Sequence, residues 1–125
     1  MRRVAIGLAV SLVLLASGCG RAMSAHESMM RELIAVGYET ADVLATITDE
    51  ASANAAKPKL IDLRDRKYGL RREIRELGPP PKDLEERFKD EFNAEDQKIY
   101  KRVKAETKRI KSIPGTRRVL IDVID

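Results

Sequence analysis

The chain reads as an all-α protein, and three observations carry that expectation. Apolar residues recur at three- and four-residue steps over most of the length. Aromatic residues make up 4% of the composition and charged residues 35%, a balance that suits slender amphipathic helices better than a thick sheet core. Gly-Pro punctuation divides the pattern into long segments. Together they predict an antiparallel three-helix bundle over residues 25–125. Residues 116–125 are left as either a short fourth helix or an extended tail, with Val119, Leu120 and Val123 favouring the helix.

The first helix is expected from about Ala25 to Ile47. Met30, Leu33, Ile34, Ala41, Leu44 and Ile47 form one face, Ser24 is the N-cap, and Glu27 stands at capping-box spacing. Gly37 weakens this helix by about 1 kcal/mol relative to Ala. The stretch from Thr48 to Asn54 holds several N-cap candidates and the expected first reversal; Pro58 fits best in the first turn of the second helix, and an Asn54 cap would place it there. Leu60, Leu63, Leu70, Ile74 and Leu77 are its buried face. The run Gly78-Pro79-Pro80-Pro81 is the clearest stop and restart in the chain. A third helix from about Pro81 to Lys111 turns Leu84, Phe88, Phe92, Ile99, Val103 and Ile110 inward. At ~1.5 Å per residue it is roughly 45 Å long.

Acidic residues dominate the first half of that helix (Asp83, Glu85, Glu86, Asp90, Glu91, Glu95, Asp96) and basic residues the second. This polarity complements the helix macrodipole. It also predicts a hairpin about Pro80, with Arg64, Arg66, Lys67, Arg71, Arg72 and Arg75 lying beside the acidic half.

Ahead of the helices, Met1-Arg2-Arg3 is a short cationic region and Val4 to Leu15 an uncharged apolar run. That layout is a secretory signal peptide, because a membrane span needs ~20 apolar residues. The tetrad Ala16-Ser17-Gly18-Cys19 resembles the lipobox of bacterial lipoproteins, with Leu15 one position upstream of the family's usual leucine. The resemblance covers about the first fifth of the chain. It implies that residues 1–18 are removed and that the Cys19 thiol takes a diacylglyceryl group, with a further acyl chain on the new N-terminus. Residues 19–24 are then a lipidated tether, and the protein is exported and held at a membrane face. Gly20, and not Asp, after the cysteine implies, by the family's sorting rule, the outer membrane in a host that has two. Two or more acyl chains make a stable anchor, at ~0.8 kcal/mol per buried methylene. The remainder is similar to small helical bacterial lipoproteins of unassigned function, through Asp49-Glu50-Ala51-Ser52-Ala53 followed by Pro58-Lys59-Leu60. That similarity implies a helical fold and no activity.

Cys19 is the sole cysteine of 125 residues, so no internal disulfide forms. The whole chain carries 24 Lys and Arg against 20 Asp and Glu. Without Arg2 and Arg3 the mature protein is close to neutral, so overall charge selects no partner.

Motifs for catalysis are sparse. His26-Glu27-Ser28-Met29-Met30 begins like the helical zinc motif H-E-x-x-H, but Met30 stands at the second ligand position, so zinc is not held. Met23, His26, Met29 and Met30 place sulfur donors near one imidazole, a set suited to Cu(I). The competing reading makes the methionines packing residues and His26 a surface residue. The carboxylates sit on exposed helix positions, and no Ser-His-Asp set, phosphate loop or haem site is present.

Charge distribution is the remaining feature. Between Lys98 and Arg118, Lys98, Lys101, Arg102, Lys104, Lys108, Arg109, Lys111, Arg117 and Arg118 are opposed only by Glu106. Such a helix binds anionic partners, unless Glu39, Asp42, Asp49 and Glu50 neutralise it within the bundle. An exported chain with few aromatics is not expected to bind nucleic acid. In an up-down-up bundle the basic end lies ~40 Å from the anchored end, which points it at an envelope protein or anionic envelope polymer. The sequence therefore predicts a lipid-anchored, non-catalytic structural or interaction protein of the cell envelope, with no cofactor. The alternative is a periplasmic small-ligand or copper-binding protein using the Met/His cluster.

Overall fold

The computed structural model describes residues 24–124, and no strand occurs among them. Four helices follow in order: α1 (Ala25–Ala45), α2 (Glu50–Glu76), α3 (Lys82–Lys111) and α4 (Thr116–Ile124). The signal segment, Cys19 and Met23 lie outside the described residues. None of the described helices is long and apolar enough to cross a membrane. The expected all-α bundle is present, and the open end of the sequence reading closes in favour of a fourth helix.

Ser24 caps α1 as expected, its Oγ accepting the Glu27 N–H at 3.2 Å. Glu27 does not turn back to complete the box. Its carboxylate is taken by Arg31 at 3.1 Å and Arg87 at 3.4 Å. α1 stops at Ala45, and Ile47 reaches the core from the connection behind it, fully buried.

The start of α2 corrects the expected Asn54 cap. Asp49 Oδ1 accepts the Ser52 N–H at 2.7 Å and Ser52 Oγ accepts the Asp49 N–H at 3.0 Å, a reciprocal capping box. The helix therefore begins at Glu50, and Pro58 stands inside it on an exposed position. Pro58 forgoes one backbone bond, to the carbonyl four residues back. A start at Asn54 would instead forfeit the box and leave Ala53, fully buried here, outside the helix. Gly78, at φ +78°, closes α2 in the left-handed conformation that a side chain disfavours. Leu77, expected to face inward, is 41% exposed because this turn redirects the chain at that residue.

Packing corrects the predicted hairpin of α2 on α3. No Cα of α2 comes within 8 Å of a Cα of α3. α1 lies between them and contacts both. It runs antiparallel to α2, with Arg66–Glu32 at 2.6 Å and Lys59–Glu39 at 2.8 Å. It runs parallel to α3, with Arg31–Glu91 at 3.4 Å and Arg102–Asp42 at 2.6 Å. Two adjacent stripes of α1 make this possible. Met29, Leu33 and Val36 join Leu63 and Leu70 of α2, while Met30 and Ile34 join Leu84, Phe88 and Phe92 of α3. Gly37 brings α3 close, since a Cβ there would sit 2.9 Å from two carbons of Ile99. Arg66 and Lys59 of α2 thus find their carboxylates on α1, while Arg64 pairs with Asp65 of its own helix and Lys57 with Asp122 of α4.

α4 enters where α2 and α3 diverge. It contacts both and runs alongside α2, with Arg118–Glu50 at 3.0 Å and Lys57–Asp122 at 3.0 Å. Leu120 is fully buried among Leu44, Ile47, Ala53, Leu60 and Ile110. Each such side chain contributes about 1.5–3 kcal/mol by leaving water. Thr116 is also fully buried, its hydroxyl meeting the carbonyls of Ile110 at 2.5 Å and Ile113 at 2.8 Å. These bonds fasten the first turn of α4 to the end of α3.

Candidate interaction groove between α2 and α3

Because α4 has only nine residues, it fills part of the gap between α2 and α3 and leaves the rest open. The open part is a groove of about 650 Å³. One wall is the stretch of α3 from Asp96 to Lys111, and the other is Lys67 and Arg71 of α2. Ile99, Tyr100 and Val103 supply its apolar surface. An adjoining pocket of about 230 Å³ continues the floor, lined by Gly37, Thr40 and Leu44 of α1 and closed by Val123 and Ile124 at the end of α4. Tyr68 and Tyr100 flank the opening, 61% and 57% exposed.

The rim is cationic. Lys67, Arg71, Lys104, Lys108 and Lys111 face a single carboxylate, Asp96. Lys67, Arg71, Lys104 and Lys108 form no salt bridge among the described residues. Burial holds the Lys67 ammonium below its ordinary pKa and the neighbouring Arg71 adds to this, against a smaller opposing effect of Asp96. Lys104 Nζ lies 5.6 Å from the centre of the Tyr100 ring, within cation–π range.

The basic stretch predicted as one anionic-partner patch is divided by the fold. One stripe serves the bundle. Lys98 pairs with Glu95 at 2.9 Å, Arg102 with Asp42 at 2.6 Å, and Arg118 with Glu50. Arg109 donates to the carbonyls of Ile47 at 2.7 Å and Leu44 at 3.0 Å, satisfying the end of α1, and also pairs with Glu106 at 2.7 Å. A second stripe, Lys104, Lys108 and Lys111, lines the groove. Lys101 belongs to neither and is exposed on the side of α3 away from the core. Of the carboxylates expected to neutralise the patch, Asp42 and Glu50 do so, Glu39 pairs with α2, and Asp49 caps α2.

No family model, characterised protein or solved structure matches this chain. The site is therefore read from its own residues.

The Met/His cluster does not converge. Met29 packs towards α2 and Met30 towards α3, in different clusters. His26 Nε2 lies 3.0 Å from the Gly78 carbonyl oxygen, joining the start of α1 to the turn after α2. No group of three or more His, Cys, Asp or Glu placed to hold a metal occurs among the described residues. The half-groove contributed by Lys67 and Arg71 was missed in the sequence because those residues were assigned to an α2–α3 contact. A usable signal was present on α3. Tyr100, Lys104, Lys108 and Lys111 share one helical face at four-, four- and three-residue steps.

Proposed function

We propose that this chain is an exported, lipid-anchored protein that presents the α2–α3 groove as an interaction surface in a cell envelope and performs no catalysis. The observation that carries this reading is the groove itself. Half-exposed apolar side chains lie between two helices with no close backbone approach, under a cationic rim in which Lys67, Arg71, Lys104 and Lys108 form no salt bridge among the described residues. The lipobox-like tetrad ending at Cys19 supports the anchor. The His26–Gly78 contact supports the orientation, because it sets the Gly78 turn beside the start of α1 and leaves the basic end of α3 at the far end of the bundle.

Two measurements test the proposal. Mass analysis of protein extracted from native membranes is expected to show a chain beginning at an acylated Cys19. A free thiol on a chain that begins at Met1 would overturn the location. Tyr100→Cys is expected to react with a membrane-impermeant maleimide more slowly in the intact envelope than after purification, while Asp90→Cys reacts equally in both. Equal rates at Tyr100→Cys would overturn the interaction surface.

A further inference from the structure

We infer that the groove receives one amphipathic helix of about four turns from a partner protein, carrying carboxylates beside its apolar stripe. This rests on the groove being an interaction surface, and it specifies the chemistry of the occupant. α4 supplies the precedent within the same gap. It is a helix held between α2 and α3 by Leu120 and flanking apolar residues, with Arg118 and Asp122 paired to charges at the edge. Its last turn, through Val123 and Ile124, reaches into the pocket where the empty part begins. The α3 lining from Asp96 to Lys111 runs for about 22 Å of helical rise, its last turns alongside α4 and its facing wall the α2 turn from Lys67 to Arg71; a helix of about fifteen residues seated on α3 would cover it.

Charge chooses the partner. Ile99, Val103 and Tyr100 offer an apolar floor, and Lys67, Arg71 and Lys104 stand unpaired around it. Carboxylates at the edge of an incoming helix would meet Lys67, whose ammonium is partly desolvated, and the exposed Arg71 and Lys104 beside it, so that the charges at the rim are complementary. They would also bring the depressed Lys67 pKa back up. Among the described residues a second copy of this chain offers no such helix. The acidic half of α3 already spends its apolar residues Leu84, Phe88 and Phe92 on α1.

The test uses the full chain seated in neutral phosphatidylcholine vesicles and a fluorescent fifteen-residue peptide, Leu at positions 1, 4, 5, 8, 11, 12 and 15 and Glu beside them. Anisotropy is expected to report binding that weakens as salt rises. Combined Lys67→Glu and Lys104→Glu should weaken it at least tenfold, with an unchanged melting curve. Lys101→Glu should leave it unchanged. The proposal fails if a peptide of the same composition with scrambled leucines binds as well, because a polyanion would then suffice. It also fails if anionic phosphatidylglycerol vesicles bind through Lys67 and Lys104 while the peptide does not, which would make the groove a headgroup site. Protection of Tyr100→Cys in the envelope without peptide binding would retain the interaction surface and reject the acidic helix.

Discussion

The two ends of the gap between α2 and α3 contrast sharply although the same two helices form both. Where α4 lies, Leu120 and Ile110 are fully buried and Leu44 is 2% exposed. At and beyond its last turn, Val103 and Ile99 are only half-buried, and Lys67, Arg71 and Lys104 border the opening. The difference shows that α2 and α3 are held apart by what stands between them, α1 along one side and α4 at one end. A three-helix arrangement with its first helix in the middle buries one side of each outer helix and leaves the facing sides unpartnered. The α4 end of this gap is therefore closed by packed aliphatic side chains, and the other end is left open.

Truncation should expose this contrast most strongly. Leu120→Ala is expected to cost about 3–4 kcal/mol in urea unfolding, since it removes a fully enclosed side chain from a site with neighbours on every side. Ile99→Ala removes a similar volume but borders the groove, so water and Tyr100 can occupy the space. About 1–2 kcal/mol is expected there. Equal losses at the two positions would mean that the groove end is as closed as the other, and the comparison would break.

The entry to α4 gives a second, smaller effect. Gly115 has φ +83°, and an added Cβ would meet Glu50 Oε2 at 2.5 Å. Gly115→Ala is expected to cost about 2 kcal/mol, from the left-handed conformation and from displacement of Glu50. Because Glu50 also pairs with Arg118, amide exchange in α4 should rise more than in α1. Uniform acceleration across all four helices would remove the idea that α4 is a separately fastened closure.

Gly37 sharpens the contrast from the other side. Exchange to Ala inside a helix normally gains about 1 kcal/mol, yet the new methyl would collide with Ile99. Gly37→Ala is therefore expected to lose about 1 kcal/mol. Combined with Ile99→Ala it should recover that loss, leaving a coupling of about 1–2 kcal/mol in the double-mutant cycle. Additive effects would mean that α3 is not seated against Gly37.

The sequence made some of this visible and hid the rest for identifiable reasons. Helix periods, the Gly78 turn and the buried residues Leu44, Leu63, Phe88 and Ile110 follow from spacing, because every long helix here buries a stripe. α2 starts ahead of the Asn54 cap that Pro58 favours, because one lost backbone bond is a small cost beside the helix end that Asp49 and Ser52 satisfy. The order of helices was not legible from charge. Arg66 has suitable carboxylates on both α1 and α3, and surface pairs are too weak to choose between them. Apolar area decides, and α1 carries two stripes. The groove was hidden for the same reason, since a basic helix looks identical whether Arg109 caps α1 or Lys108 lines an opening.

Acidification should produce the smallest effect, located at the closed contacts. Asp49 is held low by the Ser52 backbone N–H and hydroxyl, Glu95 by the Tyr38 hydroxyl and then Lys98, and Asp122 by Lys57. A carboxylate whose folded pKa lies below its unfolded one stabilises the fold above the unfolded value, and that contribution fades as pH falls through the folded value. Urea midpoints should therefore hold steady near neutrality and decline below about pH 4.5. All three groups face solvent, so the decline should be shallow. Tyr38→Phe isolates one contribution: the Glu95 titration should move upward and the acid decline should become shallower still. The groove behaves in the opposite sense. Lys67 is depressed chiefly by burial, so its charge opposes folding at neutral pH and that penalty lifts as pH rises through the folded value. Lys67→Met should accordingly raise the urea midpoint slightly at pH 7 and lose its advantage in alkali. A midpoint lowered by this exchange at pH 7 would show Lys67 to be a packing residue of the bundle, and the groove end would cease to differ from the end that α4 closes.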